Sequence, residues 1–75
     1  MPIATKAALT PSEETVMRYH VSGLSREEIA AAMCVSHHTV RAHLDHAREK
    51  LSARNMAQAG ARYMQTQLLR ARRKD

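Results

Sequence analysis

The chain has 75 residues and a mass of 8.4 kDa, which limits it to one domain with a modest hydrophobic core. Its single cysteine excludes an internal disulfide, no apolar run approaches the roughly 20 residues that a membrane span requires, and the N-terminus lacks the apolar stretch of a signal peptide. These properties predict a soluble, cytoplasmic protein that is stabilised by helix packing and oligomerisation.

The charge of the chain is basic but unevenly distributed. Twelve Lys and Arg against seven Asp and Glu give a formal charge of +5 and a pI near 10.2, which favours an anionic partner such as nucleic acid. Residues 1–54 hold seven basic and six acidic side chains, whereas residues 55–75 hold five basic and one acidic. A basic, solubilising tail would therefore explain the pI equally well.

The composition predicts an all-α fold. Glycine, proline and β-forming residues are sparse, with two Gly, two Pro, four Val, two Ile and neither Phe nor Trp. Ala, Arg, Glu, Met and Leu are abundant and favour helices. Residues 1–8 have no clear periodicity and are predicted to form a flexible N-terminal arm.

The first predicted helix begins at Pro11 and ends at about Val21. Thr10 is a good N-cap, and Glu13 stands three residues after it, as in a capping box. Gly23 suits the left-handed position that follows a helix. The inner face of this helix is predicted to contain Val16, Met17 and His20.

The second and third predicted helices follow each other closely. Ser25 caps the second helix, which ends near Met33-Cys34, and Ser36 caps the third. So short a connection predicts a steep crossing of the two helices, the geometry of a helix-turn-helix. Cys34 is expected to be a small buried hydrophobe. The inner face of the second helix is predicted to contain Ile29, Ala30 and Met33.

The third predicted helix extends from about Ser36 to about Lys50 and has two distinct faces. Its core face contains Val40, Leu44, Ala47 and Leu51, and its outer face contains His37, His38, Arg41, Ala42, Asp45 and Arg48.

Asn55 caps the fourth predicted helix. Met56, Ala59 and Tyr63 follow one stripe of this helix, and the polar residue Gln67 stands at the next position of the same spacing. We predict that residues 70–75 form a basic C-terminal tail that frays into solvent. Cations at this position also suit the C-terminal end of the helix dipole.

In their order and spacing, these residues resemble the LuxR/GerE-type helix-turn-helix domain over about residues 9–69. The motif residues are Leu9-Thr10-Pro11, Glu13, Gly23-Leu24-Ser25, Glu28-Ile29-Ala30, Val35-Ser36, Thr39-Val40-Arg41, His43, Lys50-Leu51 and Arg54-Asn55. The resemblance implies four helices, of which the third enters the major groove of double-stranded DNA and the fourth forms a two-fold dimer contact. We therefore expect a sequence-specific transcriptional regulator that acts as a homodimer. Since eight residues precede the motif, we expect a standalone member without a sensor domain.

The outer face of the third helix supplies the predicted base contacts. Arg41 can donate two hydrogen bonds to guanine, although a phosphate contact or a solvated charge is the alternative, and Ala42 can contact a thymine methyl group. Asp45 departs from the basic or small polar residue common in the family. It can accept from a cytosine amino group, orient an arginine, or form a surface ion pair. His37 and His38 can bind bases or phosphates.

Two further sets of residues complete the predicted site. The predicted phosphate-binding residues are Ser36, Thr39, Arg26, Arg48, Lys50 and Arg54. The predicted dimerisation residues, on the fourth helix, are Met56, Ala59, Gly60 and Tyr63. His20 and Gly60 replace residues that are commonly aliphatic in the family, and a mid-helix glycine costs about 1 kcal/mol relative to alanine. Close approach to the core or to a second subunit would compensate for it.

Other functions receive less support from the residues. The histidines at positions 37, 38, 43 and 46 have no cysteine partner at zinc spacing, so we expect no metal and no cofactor. No nucleophile–base set or phosphate-binding glycine loop is visible, which argues against an enzyme. The alternative that stays open is a small antagonist or co-regulator that heterodimerises with a full-length LuxR-type regulator through the fourth helix. Contact with RNA polymerase is also possible in such a protein.

Overall fold

The structure is a computed structural model and describes residues 8–72. Across this range the chain forms four helices and no strand: α1 (Pro11–Val21), α2 (Arg26–Met33), α3 (His37–Lys50) and α4 (Met56–Arg72). The all-α prediction is confirmed. Residues 1–7 of the predicted arm and residues 73–75 of the predicted tail lie outside the described range. None of the four helices is long and apolar enough to cross a membrane.

Side-chain caps begin the first three helices at the predicted positions. Thr10 Oγ1 accepts from the Glu13 amide at 3.2 Å, while Glu13 Oε1 accepts from the Thr10 amide at 2.9 Å. Ser25 and Glu28 form the same reciprocal pair at 3.1 and 2.7 Å. At α3, Ser36 Oγ accepts from the Thr39 amide at 3.1 Å. Each cap contributes about 1 kcal/mol, which explains why local sequence sets these boundaries.

The turn between α2 and α3 depends on a left-handed residue. Cys34 has φ 58° and ψ 43°, and the amide of Val35 donates to the Ala30 carbonyl at 3.1 Å, as in a Schellman motif. The prediction that Cys34 is a buried hydrophobe is wrong, because the residue ends α2 in a surface turn and is exposed. Only three residues separate the helices, which confirms the helix-turn-helix connection.

The core collects apolar side chains from every helix. It contains Val16, Met17, Ile29, Ala30, Val40, Leu44, Ala47, Leu51, Ala53, Ala59 and Tyr63. The predicted core face of α3 is confirmed, since its four members are between 0% and 3% exposed. This burial anchors one side of α3 and turns the opposite side to solvent.

A buried carboxylate links the start of α1 to the end of α3. Glu13 is 4% exposed, and its Oε1 accepts from Lys50 Nζ at 2.8 Å. The same ammonium donates to the Ala8 carbonyl at 3.3 Å, and His46 Nδ1 lies 4.0 Å from Glu13 Oε2. Burial tends to raise the pKa of Glu13, but the hydrogen bonds from Lys50 and Thr10 and the Lys50 charge outweigh burial and lower it.

A second polar contact joins α1 to the far half of α4. The Tyr63 hydroxyl donates to Glu14 Oε1 at 3.3 Å, and Arg70 Nη1 lies 3.5 Å from Glu14 Oε2. Burial raises the pKa of Tyr63, so the phenol stays protonated as a donor. Arg70, which we predicted to begin a tail, thus lies within α4 and pairs with α1.

Candidate nucleic-acid interface

The outward face of α3 presents polar side chains that the fold does not use. His37, His38, Arg41, Ala42 and Asp45 are all exposed, because Val40, Leu44 and Ala47 occupy the opposite face of the helix. Within residues 8–72, none of the four polar side chains in this set makes an ion pair or a hydrogen bond. We call these five residues the α3 face. Its donors and acceptors are available to a ligand.

Three roles were predicted for Asp45: accepting from a cytosine amino group, orienting an arginine, or forming a surface ion pair. A surface ion pair with Arg41 or Arg48 is not formed in the described part of the chain, although both arginines lie within one turn of Asp45. Arg48 instead directs Nη1 to the Ala53 carbonyl at 3.4 Å. The exposed carboxylate of Asp45 therefore has no ion-pair partner within residues 8–72, although Arg41 lies one turn away on the same face.

The beginning of α3 carries two hydroxyls that were predicted to bind phosphate. Ser36 Oγ and Thr39 Oγ1 lie 3.0 Å apart, and Ser36 also caps the helix. Both hydroxyls are thus preorganised beside the free amides of the first helical turn, where the helix dipole favours an anion. Phosphate binding by these two residues stays a prediction.

Three arginines outside the α3 face were also predicted to bind phosphate. Arg26 at the start of α2 and Arg54 before α4 are exposed, and neither guanidinium has a partner among the described residues. Arg48 is half-buried, and its bond to Ala53 uses one of five N–H donors. All three keep donors for the predicted phosphate contacts.

Lys50 requires a correction. Its predicted phosphate contact conflicts with its position, because Nζ already donates to the buried Glu13 carboxylate and to the Ala8 carbonyl. Moving the ammonium to a phosphate would leave a buried charge without its cation, which is costly. Two of the three N–H donors of Lys50 are therefore engaged within the domain, where the side chain has a structural role. The spacing of 37 residues between the partners explains why the sequence did not show this pair.

The predicted dimerisation residues also require a correction. Ala59, Gly60 and Tyr63 are buried within the protomer, and Met56 packs at the edge of its core. The stripe was correctly identified as apolar, but it packs against the rest of the same chain. Ala59, Gly60 and Tyr63 therefore have little surface left for a second subunit, whereas Met56 is half-buried.

A different face of α4 is apolar and exposed. Ala57, Ala61, Met64 and Leu68 recur at helical spacing on the side opposite Ala59 and Tyr63, and all four are exposed. Leu68 is 61% and Met64 45% exposed. We call these four residues the outer α4 stripe. The spacing of three and four residues in the outer α4 stripe is visible in the sequence. It was not predicted to be an interface, because the stripe through Tyr63 was assigned that role.

His20 and Gly60 compensate for each other. A Cβ on Gly60 would lie 3.4 Å from Val21 Cγ1 and 3.5 Å from His20 Cδ2, and His20 Nε2 lies 3.2 Å from the Met56 carbonyl oxygen. The imidazole thus fills the space that a larger residue at position 60 would need. Of the two proposed compensations for Gly60, the structure shows close approach to the core of the same chain.

Across residues 8–72, no group of three or more His, Cys, Asp or Glu side chains is arranged to hold a metal ion. His37 and His38 point outward with the other residues of the α3 face, whereas His43 is half-buried on the same helix.

Comparison with known proteins agrees with this geometry. Residues 7–63 match the family described as bacterial regulatory proteins, luxR family. The chain is also 42% identical over 57 residues to a protein of Streptomyces halstedii named as a probable HTH-type transcriptional regulator, GfsR. The matched segment covers 76% of this chain but 24% of that relative. Four helices, a three-residue turn before α3 and a family match over most of the chain lead to one conclusion: this chain belongs to the luxR family of bacterial regulatory proteins.

Proposed function

We propose that this chain is a DNA-binding transcriptional regulator that acts in the cytoplasm as a homodimer and places α3 in the major groove. The observation that carries the proposal is the α3 face, where an arginine, two histidines and a carboxylate are exposed on a helix that is anchored from behind. An α-helix fits the major groove, where base edges present distinct donors and acceptors. Membership of the luxR family and the name of the Streptomyces relative support the same function.

Phosphate contacts would supply affinity, and base contacts would supply sequence specificity. The exposed guanidiniums of Arg26 and Arg54 would bind phosphates, which gives affinity and salt dependence without sequence preference. Arg41 would read guanine, because its guanidinium is free and can donate to O6 and N7 together. Affinity depends on these flanking contacts, because Lys50 is engaged within the domain.

The role of Arg41 is tested by comparing a selected binding site with a random duplex. Arg41→Ala is expected to cost about 1–3 kcal/mol on the selected site and little on random DNA. Arg26→Ala is the matched control: it removes a phosphate contact, weakens binding to both duplexes equally and lowers the salt slope by about 1. Fluorescence anisotropy over a salt titration measures both effects. Equal losses for Arg41→Ala on the two duplexes would contradict base readout.

The homodimer is proposed to form through the outer α4 stripe. Two copies of Ala57, Ala61, Met64 and Leu68 would bury side chains that are otherwise exposed, around a two-fold axis. The two small residues allow close approach of the helices, while Met64 and Leu68 supply the larger apolar area. Two α3 helices about one turn of DNA apart would then bind a palindromic site.

Leu68→Glu tests this interface directly. The variant is expected to remain folded and monomeric, because Leu68 is exposed and a carboxylate within the dimer interface would be desolvated. Ala31→Glu, which adds the same charge on the exposed side of α2, should leave the dimer intact. Sedimentation equilibrium over a range of protein concentrations gives the mass. An unchanged mass for Leu68→Glu would exclude the outer α4 stripe as the interface.

The heterodimeric antagonist remains the second candidate, because the same exposed stripe could accept the fourth helix of a full-length regulator. The two functions differ in DNA binding by the isolated chain. A regulator binds a selected duplex with two subunits per site, whereas an antagonist binds no DNA and forms a complex of one copy with its partner.

A further inference from the structure

An acidic side chain lies in the middle of the helix that we propose enters the groove. Asp45 is exposed, lies one turn after Arg41, and faces outward beside it. Its carboxylate makes no ion pair or hydrogen bond within residues 8–72. Of the acidic residues on α3, Asp45 lies on the α3 face, whereas Glu49 follows near the C-terminal end of the helix.

The fold gives Asp45 no stabilising role. It lies well beyond the first helical turn, where a carboxylate would favour the helix dipole, and the capping residue of α3 is Ser36. Aspartate is also a weaker helix former than alanine or glutamate. Neither capping, ion pairing nor burial explains an aspartate at this position. The carboxylate is therefore available to a ligand outside the domain.

The chemistry of the major groove narrows what Asp45 can bind. A carboxylate at neutral pH accepts hydrogen bonds only, and it is repelled by phosphates. The cytosine edge presents an N4 amino donor without a neighbouring acceptor on the same base, whereas guanine presents acceptors and adenine pairs its amino group with the N7 acceptor. Cytosine is therefore the base whose edge suits an isolated carboxylate.

The spacing relative to Arg41 places the two contacts close together on DNA. Residues four apart on a helix have Cβ atoms about 5–6 Å apart, and base pairs rise by about 3.4 Å. Arg41 and Asp45 would thus reach base pairs within about two steps of each other. The guanidinium of Arg41 on guanine and the carboxylate of Asp45 on cytosine would together recognise two nearby bases.

We propose that Asp45 is a specificity-determining residue that accepts a hydrogen bond from the 4-amino group of a cytosine near the guanine bound by Arg41. Phosphates repel the same carboxylate in every duplex, and only a cytosine amino group at this position offsets that repulsion, so duplexes without the cytosine bind more weakly. This inference rests on the proposed function, since it requires α3 to enter the groove.

Binding-site selection from a random duplex pool tests the proposal, using the whole chain and its Asp45→Ala and Asp45→Asn variants. The wild-type chain should enrich a cytosine at one position in each half-site, with a preference of roughly 5- to 150-fold over other bases. Asp45→Ala should lose this preference and bind random duplex more tightly. Asp45→Asn, which has nearly the same shape, should shift the preference toward adenine.

Glu49→Ala is the matched control, because it removes a negative charge from the same helix near its end. It should leave the selected sequence unchanged. Selected sequences that are identical for the wild type and Asp45→Ala would overturn the role of Asp45 while leaving the proposed function intact. A wild-type chain that enriches no sequence would overturn both.

Discussion

At the scale of single residues, the backbone of Cys34 shows how a helix-turn-helix can carry strain at its tightest point. The residue adopts φ 58°, and a non-glycine residue in this region crowds its Cβ against the following carbonyl at a cost of about 1–2 kcal/mol. The exposed thiol has no partner among the described residues that would offset this cost. The structure offers no account of why cysteine stands here.

Cys34→Gly should therefore raise the free energy of unfolding by about 0.5–1 kcal/mol, since the relief of strain exceeds the added backbone entropy of glycine in the unfolded chain. Urea unfolding followed by circular dichroism measures the change. Cys34→Ala keeps the left-handed strain while removing the thiol, so it should not stabilise the chain. Equal stabilisation by both variants would assign the effect to the thiol instead.

At the scale of elements, the contact between α1 and α4 depends on His20 and Gly60. Each residue is unusual for its position in the family, and the large imidazole occupies the space that the small glycine leaves. His20 fills the space above Gly60 and lies within hydrogen-bonding distance of the Met56 carbonyl, so the first turn of α4 rests on the last turn of α1. The space beside the imidazole accommodates a Cβ at position 60 but no larger side chain, and glycine has a lower helix propensity than alanine.

Gly60→Val should lower the free energy of unfolding by about 1–3 kcal/mol, because its methyl groups overlap the imidazole. Adding His20→Ala should recover part of this loss, with a coupling energy of at least about 0.5 kcal/mol in a double-mutant cycle. Gly60→Ala is the control, since its Cβ meets its neighbours at 3.4 Å or more and fits without displacement. Additive effects of the two substitutions would show that His20 does not determine the space at Gly60.

Across the elements, the sequence predicted the helices well and their contacts poorly. Caps such as Thr10 and Ser25 act within one helical turn, so their effect is visible from neighbouring residues alone. The partner of Lys50 and the buried side of α4 depend on residues dozens of positions away. For that reason, neither the pairing of Lys50 nor the burial of Ala59 and Tyr63 within the protomer could be predicted from the sequence.

At the scale of the whole molecule, acid stability depends on the buried Glu13 carboxylate. Hydrogen bonds and the Lys50 charge lower the pKa of Glu13 in the folded chain despite its burial. A carboxyl whose pKa is lowered by folding contributes stability above its unfolded pKa of about 4.3, and this contribution is lost as the pH falls through the lower folded value. The chain should lose stability from about pH 5 downward.

Glu13→Gln should lower the free energy of unfolding by about 1.5–3 kcal/mol at pH 7, because a charged hydrogen bond is lost and Lys50 keeps its charge. The difference from the wild type should shrink as the pH falls below about 4, where the wild-type carboxyl also becomes neutral. Urea unfolding at several pH values measures this trend. Glu49→Gln, at an exposed carboxylate that forms no ion pair with another described residue, should show no comparable loss. A difference independent of pH would contradict the ionic role of Glu13.

The sequence alone is sufficient to predict the set of helices, the short turn before α3 and the outward position of Arg41 and Asp45. These follow from capping, left-handed residues and helical periodicity, which act over a few residues. The tertiary arrangement, in contrast, pairs Lys50 with Glu13 and turns Ala59 and Tyr63 toward the protomer's own core. Those outcomes depend on which distant side chains meet, and periodicity within one helix does not specify its neighbour. The third helix therefore has nearly the bounds that were predicted for it. Which side chains remain exposed for the proposed contacts with DNA and a second subunit depends on the packing between helices.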